Sequence, residues 1–138
     1  AQHHDVLQAA IAGLHAWIRD GVAASQAAGM ELSDTDPPQL VLDANGLAKG
    51  GVRTPWVDVP IARTSGIGTG ESPLSHLFGS GEPFDAATLS RLYPDGAAEY
   101  LERFTESLDE AIRSGFLLPA DRQEILQIAA ATYPRSQE

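Results

Sequence analysis

From Val6 the apolar positions recur at helical spacing. Leu7, Ala10, Ile11, Leu14, Trp17 and Ile18 form one stripe, with Gln8, Gly13, Arg19 and Asp20 elsewhere. Asp5 stands where an N-cap would accept from the free amides of a first turn. Gly21 stands where a left-handed residue would end the helix. The pattern predicts a helix over 6–20. One side of it is too apolar to stand alone, so Leu7, Leu14 and Trp17 need a cover.

Residues 22–38 are rich in Ala, Ser and Asp, close on Pro37-Pro38, and read as a connector. Residues 39–43 are a short β-prone run. They meet Asn45-Gly46, a pair that tolerates the positive φ angles of a hairpin turn, and 47–51 would be the return. Pro55 and Pro60 then exclude a regular central strand. Val57, Val59 and Ile61 alternate to one face of an extended segment, which completes a hairpin unit over 39–63.

Residues 64–84 carry Gly66, Gly68, Gly70, Gly79 and Gly81 with almost no periodicity. They read as a surface loop packed locally around Leu74, Leu77 and Phe78. The run Gly66-Ile67-Gly68-Thr69-Gly70 is not a phosphate loop, because it lacks the Lys-Ser/Thr ending and opens no helix.

The remainder reads as three helices, at 86–92, 96–114 and 120–132. Asp85 caps the first, which stops before Pro94. Asp95 opens the second and strongest. Tyr100, Leu101, Phe104, Leu108, Ala111 and Ile112 line one face, while Glu99, Glu102, Arg103, Glu106, Asp109 and Glu110 lie largely on the other. Gly115 ends it, and Phe116-Leu117-Leu118 is short and apolar enough to be buried in the elbow of an αα-hairpin. Pro119 favours the first turn of the last helix, and Ile125, Ile128 and Ala129 point inward. The expected fold class is predominantly α with a small β-hairpin.

Composition narrows the function. A chain of 138 residues is one domain's worth. Nine Lys and Arg against nineteen Asp and Glu give −10, a field that repels phosphate backbones and anionic lipid heads, so neither nucleic acid nor a membrane is expected as partner. No apolar run approaches the ~20 residues of a membrane-spanning helix. The absence of cysteine excludes disulfides, thiolate zinc sites and a cysteine nucleophile. The single methionine is Met30, and the opening Ala-Gln-His-His-Asp is no signal sequence, so the expectation is a processed chain or a piece of a longer one.

No complete catalytic set is present. The sequence has no Gly-x-Ser-x-Gly elbow, no His-Glu-x-x-His helix and no Gly-x-x-x-x-Gly-Lys, and no cofactor or metal is expected. His3-His4-Asp5 is the one cluster with chemical potential. It is either a general base or metal ligand, or an unstructured chain end. His15 and His76 are not spaced to complete a metal site with His3 and read as partly exposed imidazoles. Arg53 and Asp58 flank an apolar stretch and are expected to pair, as a structural clamp or as a substrate contact. Trp56 is a ligand platform or a core or interface aromatic.

Several stretches taken together resemble a family of bacterial α/β-hydrolase domain-containing proteins. They are Asp43-Ala44-Asn45-Gly46, Gly50-Gly51-Val52-Arg53-Thr54-Pro55, Val57-Asp58-Val59-Pro60, Leu77-Phe78-Gly79 and Pro83-Phe84-Asp85. They continue through Leu89 to Leu92-Tyr93, Tyr100-Leu101 to Phe104, and Gly115-Phe116-Leu117-Leu118-Pro119-Ala120-Asp121. Their order and spacing over 39–133 carry the resemblance.

It implies that the chain corresponds to the C-terminal part of a longer serine hydrolase of ester-like, small-molecule substrates. Residues 1–21 would be the last helix of the hydrolase core, following a His-containing loop. Residues 22–38 would be a linker and 39–138 a C-terminal extension. In that fold the chain order is Ser, then Asp/Glu, then His, so the nucleophile would lie upstream. His3 is then the candidate triad base, with His4 as the alternative. The chain alone would be inactive, its partner would be the hydrolase core, and the stripe on the first helix would favour self-association. A competing expectation is a complete, non-enzymatic acidic helical interaction module, and a His-rich metal binder is a weaker third.

Overall fold

A computed structural model of the chain describes residues 2–66, 68 and 79–134. His76 and the expected loop contacts of Leu74, Leu77 and Phe78 lie outside the described residues. The elements run α1 (Gln2–Asp20), α2 (Pro55–Asp58), β1 (Ala62–Ser65), β2 (Ser80–Pro83), α3 (Ala86–Leu92), α4 (Ala97–Arg113) and α5 (Arg122–Thr132). The architecture is predominantly helical, with one two-stranded sheet among the described residues.

Helix α4 is the organising element. Gly96, one residue after the expected opener, takes the N-cap position, and the Asp95 amide donates to Glu99 Oε2 at 3.0 Å, so Glu99 reaches back over the first turn. At the other end Gly115 adopts φ +77. Its N–H donates to Ile112 O at 3.0 Å and that of Phe116 to Ala111 O at 2.9 Å, a Schellman ending that satisfies the last carbonyls. The chain then turns through Leu117, buried in the elbow, into a 3-10 turn at Pro119–Asp121 and on into α5.

The apolar face of α4 closes a dense core. Tyr100, Phe104, Leu108 and Ala111 meet Ile125 and Ala129 of α5, with Val59, Leu89, Tyr93 and Leu117. Tyr93 and Tyr100 pack edge to face at 5.3 Å and Trp56 packs against Phe104 at 5.6 Å. Each such contact is worth about 0.5–1.5 kcal/mol beyond area burial. The buried Tyr93 hydroxyl donates to Pro60 O at 2.8 Å, and burial pushes its phenol up to about 12. Asp85 caps α3 as expected, its Oδ1 accepting from the Thr88 amide at 2.8 Å, and the bonds from Thr88 hold its carboxyl below the usual range.

Three local expectations are corrected. Residues 55–58 are not extended. Thr54 is the extended N-cap residue (φ −122, ψ 159), Pro55 supplies a helical φ, and the Val57 and Asp58 amides both donate to Thr54 O, at 2.9 and 3.0 Å. This turn carries Val59 into the core.

The second correction concerns the glycine-rich stretch 64–84. It is not all loop, since β1 and β2 pair antiparallel, with Ala62 opposite Pro83 and Ser65 opposite Ser80. Strands reading Ala-Arg-Thr-Ser and Ser-Gly-Glu-Pro are mostly exposed and have no apolar alternation to announce them.

The third is at α1, which begins at Gln2 rather than after Asp5. Asp5 lies within the first turn, where its charge complements the helix dipole, instead of capping it. The two histidines are therefore helical and not in a preceding loop.

Residues 22–38, read as a connector, are tied down at 30–33. The Glu31 amide donates to Lys49 O, that of Lys49 to Val41 O, and that of Val41 to Glu31 O, at 3.0, 2.9 and 2.9 Å. Three passes of the chain thus close one ring of hydrogen bonds. The turn below it is stabilised by Asp43, whose Oδ1 accepts from the Asn45 and Leu47 amides at 2.8 and 2.9 Å. Only Gly46 of the Asn-Gly pair takes positive φ, at 79°. The turn is therefore a type I turn followed by a left-handed glycine.

Helix α1 meets the rest of the chain through Val6, which packs on the core, and through Ala9, which is buried. Its apolar stripe faces outward. Leu7, Ile11, Leu14, Trp17 and Ile18 are 50–77% exposed, so α4 and α5 do not supply the cover the stripe calls for. Among the described residues no helix is long and apolar enough to cross a membrane.

Candidate active site at the start of helix α1

Successive residues of a helix point about 100° apart, so the first turn of α1 sends His3, His4 and Asp5 in three directions. His4 is tied along the helix surface, its Nε2 lying 2.8 Å from Gln8 Nε2. Asp5 is faced by Asp121 and Glu124 at the start of α5. Burial first, and then the negative charge of Asp121 and Glu124, raise its carboxyl above the usual range, with His4 acting partly against them. Asp121 Oδ2 is itself buried without a hydrogen-bond partner among the described residues.

His3 stands elsewhere. It borders a groove of about 400 Å³ between α1 and the segment leading into α2. Val6, Leu7 and Ala10 form one wall, and Val52, Thr54 and Val57 form the other. Among the described residues no carboxylate, lysine or arginine side chain lines it. Thr54 is only 4% exposed, and its Oγ1 has no hydrogen-bond partner among the described residues. An exposed imidazole beside an apolar surface can carry a proton between a hydroxyl and a leaving oxygen.

The structure brings Arg53 and Asp58 together and keeps both out of that groove. Arg53 Nε donates to Asp58 Oδ1 at 2.7 Å and its Nη1 to Ala48 O at 3.0 Å, while Ser107 Oγ lies 3.5 Å from Asp58 Oδ2. The pair straps the return of the turn to α2 and α4 across a smaller pocket of about 290 Å³ that also touches Ala27, Ala28 and Glu110. Trp56 is half-buried against Phe104, with its ring committed to the core. His15 is exposed on α1. Among the described residues no group of three or more His, Asp or Glu side chains is placed to hold a metal ion.

Val52, Thr54 and Val57 were not singled out by sequence reasoning as site residues. One signal was available for Thr54. A threonine before a proline is an N-cap followed by the first helical residue, which predicts a turn there and not a strand.

The sequence model of the family described as alpha/beta hydrolase domain matches residues 1–127 of the chain. No curated protein and no solved structure matches it.

Proposed function

The chain belongs to the alpha/beta hydrolase domain family, and from that membership we propose that it is the C-terminal part of a serine hydrolase of carboxylic esters, with His3 as the proton-carrying base. The observation that supports His3 over His4 is its place at the rim of the apolar groove, whereas His4 is engaged with Gln8. The exposed stripe of α1 supports the partner: a helix that leaves Leu7, Ile11, Leu14 and Trp17 outside its own core suits packing on the sheet of a hydrolase body.

In this reading His3 accepts the proton of a serine hydroxyl from that body as the serine oxygen bonds to the ester carbonyl carbon. It then delivers the proton to the alkoxide oxygen as the carbon–oxygen bond breaks and the alcohol leaves. Water, activated by the same imidazole, cleaves the acyl-enzyme to the acid. The acid partner of His3 also belongs to the hydrolase body, because Asp5 is turned toward Asp121 and Glu124.

The test has two arms. The 138-residue chain alone, assayed on 4-nitrophenyl butyrate, is expected to show no saturable turnover above that of free imidazole. The chain joined to the coding sequence that precedes it is expected to be active and sensitive to serine reagents, and His3→Ala should lower kcat by about 10²–10⁴-fold. Saturable, serine-reagent-sensitive activity in the chain alone overturns the reading. So does an upstream sequence without Gly-x-Ser-x-Gly, or activity that survives His3→Ala.

A further inference from the structure

The large apolar side chains left outside are not spread over the molecule. Eleven of them are 40–77% exposed, and all eleven lie between Leu7 and Val52. Among the described residues beyond Val52 there is none. Five stand on α1 and five on residues 30–52, with Val22 between. We propose that residues 30–52, first read as part linker and part extension, dock on the hydrolase body together with the stripe of α1, as one apolar face. The inference rests on the proposed hydrolase body as the cover of α1 and adds a second element to that contact.

The register of the ring unit makes its apolar residues a patch. Alternate residues of a strand share a face, and residues opposite each other across an antiparallel bridge are neighbours. Leu32 lies opposite Leu40, Leu42 opposite Ala48 and Met30 opposite Gly50. Met30, Leu32, Leu40 and Leu42 are thereby gathered, each 45–57% exposed. The patch is held in place, because a Cβ at Gly50 would strike Gly29 O and the strands are already at closest approach. Met30 lies over Gly51, where a Cβ would come within 3.0 Å of its Sδ. The next residue, Val52, lines the groove whose other wall includes Leu7. The patch thus reaches the α1 stripe through Val52.

Area and charge identify the occupant. Side chains of this size, half exposed, make an apolar face on the order of 1,000 Å²; the largest patch on a typical monomer is about 300–600 Å², and one side of a standard interface takes about 800 Å². Residues 1–52 carry six carboxylates against Arg19 and Lys49. Arg19 is bonded to Asp20, while Glu31, Asp34 and Asp36 stand exposed next to Leu32 in the chain. A second copy set against the face would oppose acid to acid, in a chain whose net charge is already −10. The face fits a surface that is apolar at its centre and basic at its border, and we assign that surface to the hydrolase body.

Met30, the single methionine of the chain, is the probe. Hydrogen peroxide passes one oxygen to an accessible thioether, giving the sulfoxide and water. Peptide mass spectrometry would follow that oxidation in the 138-residue chain and in the chain joined to the coding sequence that precedes it. Met30 should oxidise roughly tenfold or more slowly in the joined protein, as expected for a thioether moved from half-exposed to buried. Leu32→Glu with Leu42→Glu should bring the joined rate back to that of the chain alone. The same pair should leave the melting temperature of the chain alone unchanged, since both side chains are exposed there. Asp34→Lys with Asp36→Lys should speed Met30 oxidation in the joined protein, and no change would overturn the basic border.

Amide exchange over α1, measured on the same two proteins, separates this inference from the reading it rests on. Slow exchange in α1 of the joined protein with equal Met30 rates in both proteins overturns the second element and leaves the α1 contact standing. Unchanged α1 exchange and unchanged Met30 rates overturn both. A slow Met30 that ignores Leu32→Glu with Leu42→Glu also overturns the patch. The chain alone should be monomeric by light scattering, and a dimer in which Met30 is protected would give the face to a second copy and overturn the assignment.

Discussion

Helices α1 and α4 are of nearly equal length, 19 and 17 residues, and each carries an apolar stripe. Their fates differ. The stripe of α4 is buried by α2, α3 and α5, so that Phe104 and Leu108 have no exposed surface at all. That of α1 leaves Ile18 77% exposed and none of its large members below 50%. Full burial of one such side chain is worth roughly 1.5–3 kcal/mol, and α1 forgoes most of that within this chain. An apolar stripe states that a helix needs a cover; it does not state that the cover is in the same polypeptide. In α4 the cover comes from segments on both sides in the chain, α2 and α3 before it and α5 after it, whereas among the described residues Leu7, Ile11, Leu14, Trp17 and Ile18 of α1 stay half or more exposed.

Substitution in the two helices tests this contrast. Phe104→Ala, in the middle of the aromatic cluster, should cost about 3–5 kcal/mol in urea unfolding. A loss below 1 kcal/mol, on the same scale of core truncations, would mean the core is not closed around it. A matched pair is sharper. Leu108→Ala should cost about 2–5 kcal/mol, while Leu14→Ala in the chain alone should stay within about 0.5 kcal/mol. Equal losses would show that the α1 stripe is covered after all, by a second copy or by its own chain.

Tyr93→Phe removes the bond to Pro60 O and should cost about 0.5–1.5 kcal/mol. The same phenol has its ionisation raised from an ordinary 10.0 to about 12. Its contribution is therefore complete below pH 10 and is lost as the pH climbs toward 12. Phenolate absorbance that develops in the native protein as early as in the unfolded chain would contradict that burial.

The smallest effect is expected at Asp5. Its folded carboxyl lies above the ordinary 3.8, so the cost of ionising it is absent at lower pH and appears as the pH rises through the folded value. Asp5→Asn should leave acid stability unchanged and raise neutral-pH stability slightly, within about 0.5 kcal/mol, by thermal unfolding. A destabilised Asp5→Asn at neutral pH would show that the carboxylate has an attractive partner instead.

Much of the helical part was legible along the chain. Asp85 as cap, Gly115 as stop, the α4 face from Tyr100 to Ala111, and Leu117 in the elbow each depend on neighbours within a few residues. The β part was not. The pairing of Ala62–Ser65 with Ser80–Pro83, and the arrival of Glu31 beside the Val41 and Lys49 arms, join segments that carry no common pattern.

The site divides the same way. His3-His4-Asp5 could be singled out as reactive side chains, but only the helical start at Gln2 turns His3 toward the groove and Asp5 toward Asp121 and Glu124. Local periodicity and capping are written in residues a turn apart, so the linear chain alone was enough to place the helices and their buried faces. Strand pairing, the unpartnered hydroxyl of Thr54 and the outward stripe of α1 depend on which distant backbone or side chain arrives beside them. Packing in three dimensions settles that.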